Sequence, residues 1–212
     1  MSLFASTFAR EVGTMQKQQL IRTFEKQCRN SDDSSHCDGA IIVQTKTIGI
    51  DSQAISVLYH EYSQQFFAAL YKENRDTLSV SSLILINTDG NDPPWSYAFD
   101  IDSLPIHISA HELAIKVVYA NSYTSSSRSD NTSQTILYQI VDSQLQEIFQ
   151  VITDAVSSSP DSDKTNSTMK HLSFTSAKGN AYYSLLLKDG HGRVVERYDW
   201  NGEKYTLVHR KP

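Results

Sequence analysis

The stretch Asp51-Ser52-Gln53-Ala54-Ile55-Ser56-Val57-Leu58-Tyr59-His60-Glu61-Tyr62-Ser63-Gln64-Gln65-Phe66-Phe67-Ala68-Ala69-Leu70 decides how the N-terminal third of this chain is read. Ile55, Leu58, Tyr59, Tyr62, Phe66, Ala69 and Leu70 recur with a period near 3.6, which predicts an amphipathic helix. Asp51 or Ser52 supplies an N-cap, and Lys72 to Asp76 end the pattern. A first helix is predicted from about Ser6 to Cys28, where Phe8, Val12, Met15, Leu20, Ile21 and Phe24 keep the same spacing. Between the two, Ala40 to Ile48 is short, β-branched and bounded by Gly39 and Gly49, so it reads as a strand.

From Leu78 onward the apolar period changes to 2 and turn residues appear at regular intervals. Predicted strands are Val80 to Asn87, Ser96 to Ile101, Leu113 to Tyr123, Thr135 to Val141, Gln144 to Ile152, His171 to Ser176, Ala181 to Lys188, Arg193 to Trp200 and Lys204 to His209. Asn201-Gly202 has the composition of a two-residue type I′ hairpin turn, and Asp189-Gly190-His191-Gly192 joins another pair of strands. Two segments rich in Ser, Asp, Thr and Asn, Ser122 to Ser133 and Asp154 to Thr168, read as mobile loops. The expected fold is therefore α+β: N-terminal helices packed on a mainly antiparallel, hairpin-rich sheet. A single domain over 1–212 is expected, helix-rich over 1–77 and β-rich over 78–212.

Composition narrows the function classes. With 39% hydrophobic and 10% aromatic residues the chain is too apolar to be disordered. A formal charge of -5, with the 19 Lys and Arg scattered, argues against a nucleic-acid partner. The longest apolar runs, such as Leu83 to Ile86, are far shorter than the roughly 20 residues of a membrane span. Cys28 and Cys37, separated by a polar segment, are close enough in sequence to close a disulfide, which suits an exported protein; two separate thiols are the alternative. Met1-Ser2-Leu3-Phe4-Ala5 has neither the basic nor the apolar region of an export signal, so such a signal is expected to lie outside this sequence.

Few residues form a pattern with chemistry in it. His107-Ile108-Ser109-Ala110-His111-Glu112 would present two metal ligands on one face if helical, the basis of a metal-dependent enzyme or hydrolase as the alternative reading. In a strand, the two imidazoles would lie about 13 Å apart, too far to share an ion. Asn87 to Trp95, with Asp100 and Asp102 nearby, is acidic and turn-rich but lacks the spacing of an EF-hand loop. No nucleophile elbow and no glycine-rich phosphate cradle occurs, so neither an enzyme nor a cofactor is expected. The aromatic C-terminal hairpins remain. Asp189, His191 and Arg193 on one tip, with Trp200 and Tyr205, are the candidate partner-binding residues. A third reading encloses a small apolar molecule in a cavity lined by Phe and Tyr.

Arg197-Tyr198-Asp199-Trp200-Asn201-Gly202-Glu203-Lys204-Tyr205 resembles the closing hairpin of small exported bacterial proteins of unknown function. The wider layout, with N-terminal helices, one local cysteine pair and a β-rich remainder, looks like periplasmic immunity proteins that protect bacteria from interbacterial toxins. That resemblance implies a periplasmic or secreted, non-enzymatic inhibitor that covers an effector's active cleft, burying about 800 Å² per partner.

Overall fold

A computed structural model of the chain describes residues 14–29, 39–48, 53–61, 63–74, 77–86, 96–102, 105–124, 129–159, 162–176 and 181–210. The chain divides into two compact units, Met1–Thr88 and Asp89–Pro212. Among the described residues there is one helix and thirteen strands, so the expected α+β fold with several helices gives way to a mostly β architecture.

In the first unit, helix α1 (Thr14–Arg29) precedes an antiparallel meander of β1 (Ala40–Thr47), β2 (Gln53–His60), β3 (Gln65–Asn74) and β4 (Thr77–Ile86), paired in that order. The predicted second helix is the β2–β3 hairpin. Its 3.6 period misleads because every residue from Gln53 to Leu58 is buried, so the strand has no polar face with which to show alternation. The β-branched Ile55 and Val57 and the aromatic Tyr59, Phe66, Phe67 and Tyr71 favour the pleated form instead. Tyr59 and Phe66 face each other across the pair with ring centroids 5.0 Å apart, and Gln64, at φ 55°, makes the turn.

Helix α1 lies on one face of this meander. Leu20 and Phe24 are buried among Ala54, Leu58, Ala69 and Tyr71, and the Phe24 ring meets Phe67 edge-on at 4.9 Å. The Gln19 amide donates to the Leu78 carbonyl (3.3 Å) and accepts from the Leu78 N–H (3.2 Å), behaving as a one-residue strand at the start of β4. The residues before Thr14, the Cys37 end of the expected disulfide and the Cys28 side chain fall outside the described residues.

The second unit contains β5 (Ser96–Ile101), β6 (Ile106–His107), β7 (Leu113–Thr124), β8 (Ser129–Val141), β9 (Gln144–Ser159), β10 (Ser162–Thr175), β11 (Ser184–Asp189), β12 (Val194–Trp200) and β13 (Tyr205–Arg210). They form one nine-stranded antiparallel sheet in the order β13-β12-β11-β10-β9-β8-β7-β5, with β6 on β7. The first half of β10 pairs with β9 and the second half with β11. The sheet turns back on itself there: Phe149 of β9 meets Tyr198 and Tyr205 edge-on, with centroids 4.9 and 6.2 Å apart. Leu137, Ile148, Leu185 and Leu187 complete the core between the two halves.

Both Ser-rich segments read as mobile loops are largely strand. Ser122–Thr124 pairs with Ser129–Asn131, and Asp154–Ser159 pairs with Ser162–Met169. Their side chains contribute little to a core, but each backbone is already held by a neighbouring strand, and Thr and Val suit the pleat. The Asn201-Gly202 turn also differs from the two-residue form. Trp200 pairs with Tyr205, leaving a four-residue connection in which the Asn201 carbonyl side chain accepts from the N–H groups of Glu203 and Lys204. Only Gly202 has positive φ there.

Candidate functional site

The five candidate partner-binding residues lie at opposite ends of β12, a seven-residue strand that spans about 23 Å. Asp189, His191 and Arg193 belong to the β11–β12 tip, whereas Trp200 and Tyr205 flank the β12–β13 connection. They do not form one constellation.

At the first end, the Asp189 carboxylate organises the turn. Its Oδ1 accepts from the N–H groups of His191 (2.9 Å) and Arg193 (3.0 Å), and its Oδ2 accepts from Arg193 Nε at 2.8 Å. Arg193 Nη2 stands 2.7 Å from the same oxygen. The side-chain bond from Arg193, chiefly, holds the Asp189 carboxyl down at a pKa of about 2. Asp189 and Arg193 therefore spend their charges on each other and on the turn, while the side chains of His191 and Arg193 are both exposed at the tip. Gly192 takes φ 77°, and a side chain at Gly190 or Gly192 would meet nothing within 4 Å, as befits a protruding tip.

Beside the tip runs a groove of about 500 Å³, lined on its β10 side by Ser167 to Lys170 and on its β12 side by Val195 and Glu196. Met169 is 56% exposed there. Buried Glu196 anchors the floor: Lys170 Nζ donates to one carboxylate oxygen at 3.0 Å and the Tyr198 hydroxyl donates to the other at 2.5 Å. Sequence reading missed this groove because Met169 and Lys170 adjoin the segment taken for a loop, and only β10's pairing with β11, which sets Lys170 opposite Asp189, brings them alongside the tip.

At the second end, Tyr182 and Trp200 stack with centroids 4.3 Å apart and planes within 14°. Tyr205 abuts Trp200 at 5.3 Å and 73°, and its hydroxyl donates to the Ile108 carbonyl (3.5 Å). Burial pushes the Tyr205 hydroxyl above its ordinary pKa. Below Trp200, burial opposes ionisation of Asp199, but the Ser184 hydroxyl (2.6 Å) and the Arg197 guanidinium (3.0 Å) outweigh it and hold the carboxyl below its usual range.

The His107–Glu112 segment is not a helix. The N–H groups of Ile108 and Ser109 donate to the Glu112 carbonyl, and Ser109 Oγ accepts from the N–H groups of His111 and Glu112, a tight connection between β6 and β7. His107 and His111 are exposed, while Glu112 Oε2 accepts from Gln139 Nε2 at 2.8 Å. Among the described residues no three His, Cys, Asp or Glu side chains are grouped to hold a metal ion. The acidic 87–95 segment lies outside the described residues; of its neighbours, Asp102 pairs with Lys116 at 2.9 Å. No helix among the described residues is long and apolar enough to cross a membrane. No family model matches the chain, and no curated protein is similar to it in sequence.

Proposed function

We propose that this chain is a non-enzymatic protein-binding module of the bacterial envelope that acts by covering a partner enzyme's active cleft, in the manner of an immunity-type inhibitor. The observation that carries the reading is the β11–β12 tip: a turn braced from within by the Asp189 carboxylate, projecting beside a groove with exposed Met169. A tip held in one conformation before contact loses little conformational entropy on binding, and a flexible thioether at its base adapts to a partner's surface.

The test is affinity capture with the full chain, identification of the captured protein, and calorimetry on the purified pair. His191→Ala combined with Met169→Ser leaves the Asp189–Arg193 brace intact and is expected to weaken binding at least about tenfold, the loss of one good contact cluster. Leu85→Ser, at a residue 48% exposed in the first unit, should bind as the parent chain does. A purified pair that the double variant binds equally well, or that shows no saturable binding at all, overturns the proposal.

A further inference from the structure

The other end of β12 has a different chemistry. A cleft of about 490 Å³ opens between the β8–β9 tip, the β12–β13 connection and Glu112. Tyr182 and Trp200 form its aromatic wall, and Glu112, Asp142 and Glu203 supply carboxylates. Among the described residues that line it there is no Lys or Arg. Both turns that frame it are pre-set: Asp142 and Ser143 sit at φ 50° and 65°, and the Asn201 side chain holds the N–H groups of Glu203 and Lys204. Gln139, itself buried, fixes the Glu112 carboxylate by donating to Oε2.

We propose that this cleft binds an organic cation, an ammonium or guanidinium group, independently of the partner-binding tip. Three carboxylates beside aromatic rings make a negative wall, open to solvent at the exposed Asp142 and Glu203, in which ring quadrupole and formal charge act with the same sign. An anion would meet no Lys or Arg among the described residues of the wall. A neutral sugar would stack on the rings but has no use for three carboxylates. A bare divalent metal needs several oxygens converging on one point, and these acids are not so grouped.

The experiment uses the full chain with Trp95→Phe, leaving Trp200 as the only tryptophan, and follows its fluorescence during titration with tetramethylammonium, butylammonium, butanol and glucose. Calorimetry on the unsubstituted chain repeats each titration, so the result does not hang on the Trp95 variant. Both cations are expected to saturate the signal, at least about tenfold more tightly than butanol or glucose, and to weaken as salt rises. Asp142→Asn with Glu203→Gln keeps the turns and should weaken the cations several-fold while leaving the neutral probes unchanged. Neutral probes binding as well as the cations, cations that do not saturate, or a double variant with undiminished cation binding would each overturn the proposal. A short lysyl peptide distinguishes the source. Binding about tenfold tighter than butylammonium assigns the cation to a protein side chain, whereas equal affinity assigns it to a free amine.

Discussion

Asp189 shows how one carboxylate turns a flexible glycine-flanked sequence into a fixed structure. It accepts two backbone N–H groups and the Arg193 side chain at once, and this holds its pKa near 2, below the ordinary 3.8. A group with a depressed folded-state pKa stabilises only while ionised, so its contribution is complete above about pH 4 and is lost as the pH falls through 2. Acidification over that window is expected to release the His191 and Arg193 amides to rapid hydrogen exchange before the β11 and β12 amides follow. Asp189→Asn should produce the same loosening at neutral pH, because an amide cannot reproduce both the acceptor geometry and the charge that Arg193 meets. Unchanged exchange in that variant would show that the two glycines alone set the turn. The residue types of this tip were legible as a turn; that Asp189 and Arg193 face each other, and so are structural first, was not, because their i, i+4 spacing says nothing of a contact outside a helix.

Among the elements, the β2–β3 hairpin and α1 illustrate opposite outcomes of the same periodicity. In α1 the three- and four-residue spacing is real, because only the stripe carrying Leu20 and Phe24 meets the sheet. In β2 it is coincidental, since both faces are covered and nothing remains to alternate. Phe24→Ala removes a ring that is 2% exposed and touches Phe67 and His60, and is expected to cost about 3–5 kcal/mol in urea denaturation. A loss below about 1 kcal/mol would mean that α1 is not docked as described. The strands of the C-terminal half were far easier to read: Ser96–Ile101 coincides with β5, and the cores of β7, β8, β9, β11, β12 and β13 lie where alternation puts them. Their extensions were not readable, because a Ser- and Thr-rich arm becomes a strand only when a neighbour supplies its hydrogen bonds.

For the whole molecule, the decisive event is within the second unit, where β10 changes partners midway and the sheet closes over Phe149. Phe149→Ala, at a residue 5% exposed, is expected to destabilise this unit by about 3–5 kcal/mol and to lower protection of the β12 and β13 amides together with those of β8. Loss confined to β9 would show that the two halves of the sheet are not one cooperative core. Composition, alternation and turn chemistry by themselves determined that the C-terminal half is an antiparallel sheet of successive hairpins, because those signals depend only on neighbours along the chain. The hairpin in place of the second helix, the separation of Asp189 from Trp200, the groove beside Met169 and the acidic aromatic cleft were decided by tertiary structure. Each depends on which surfaces are covered and which distant strands lie side by side, and burial on two faces or contact across a folded sheet leaves no period in the sequence to read.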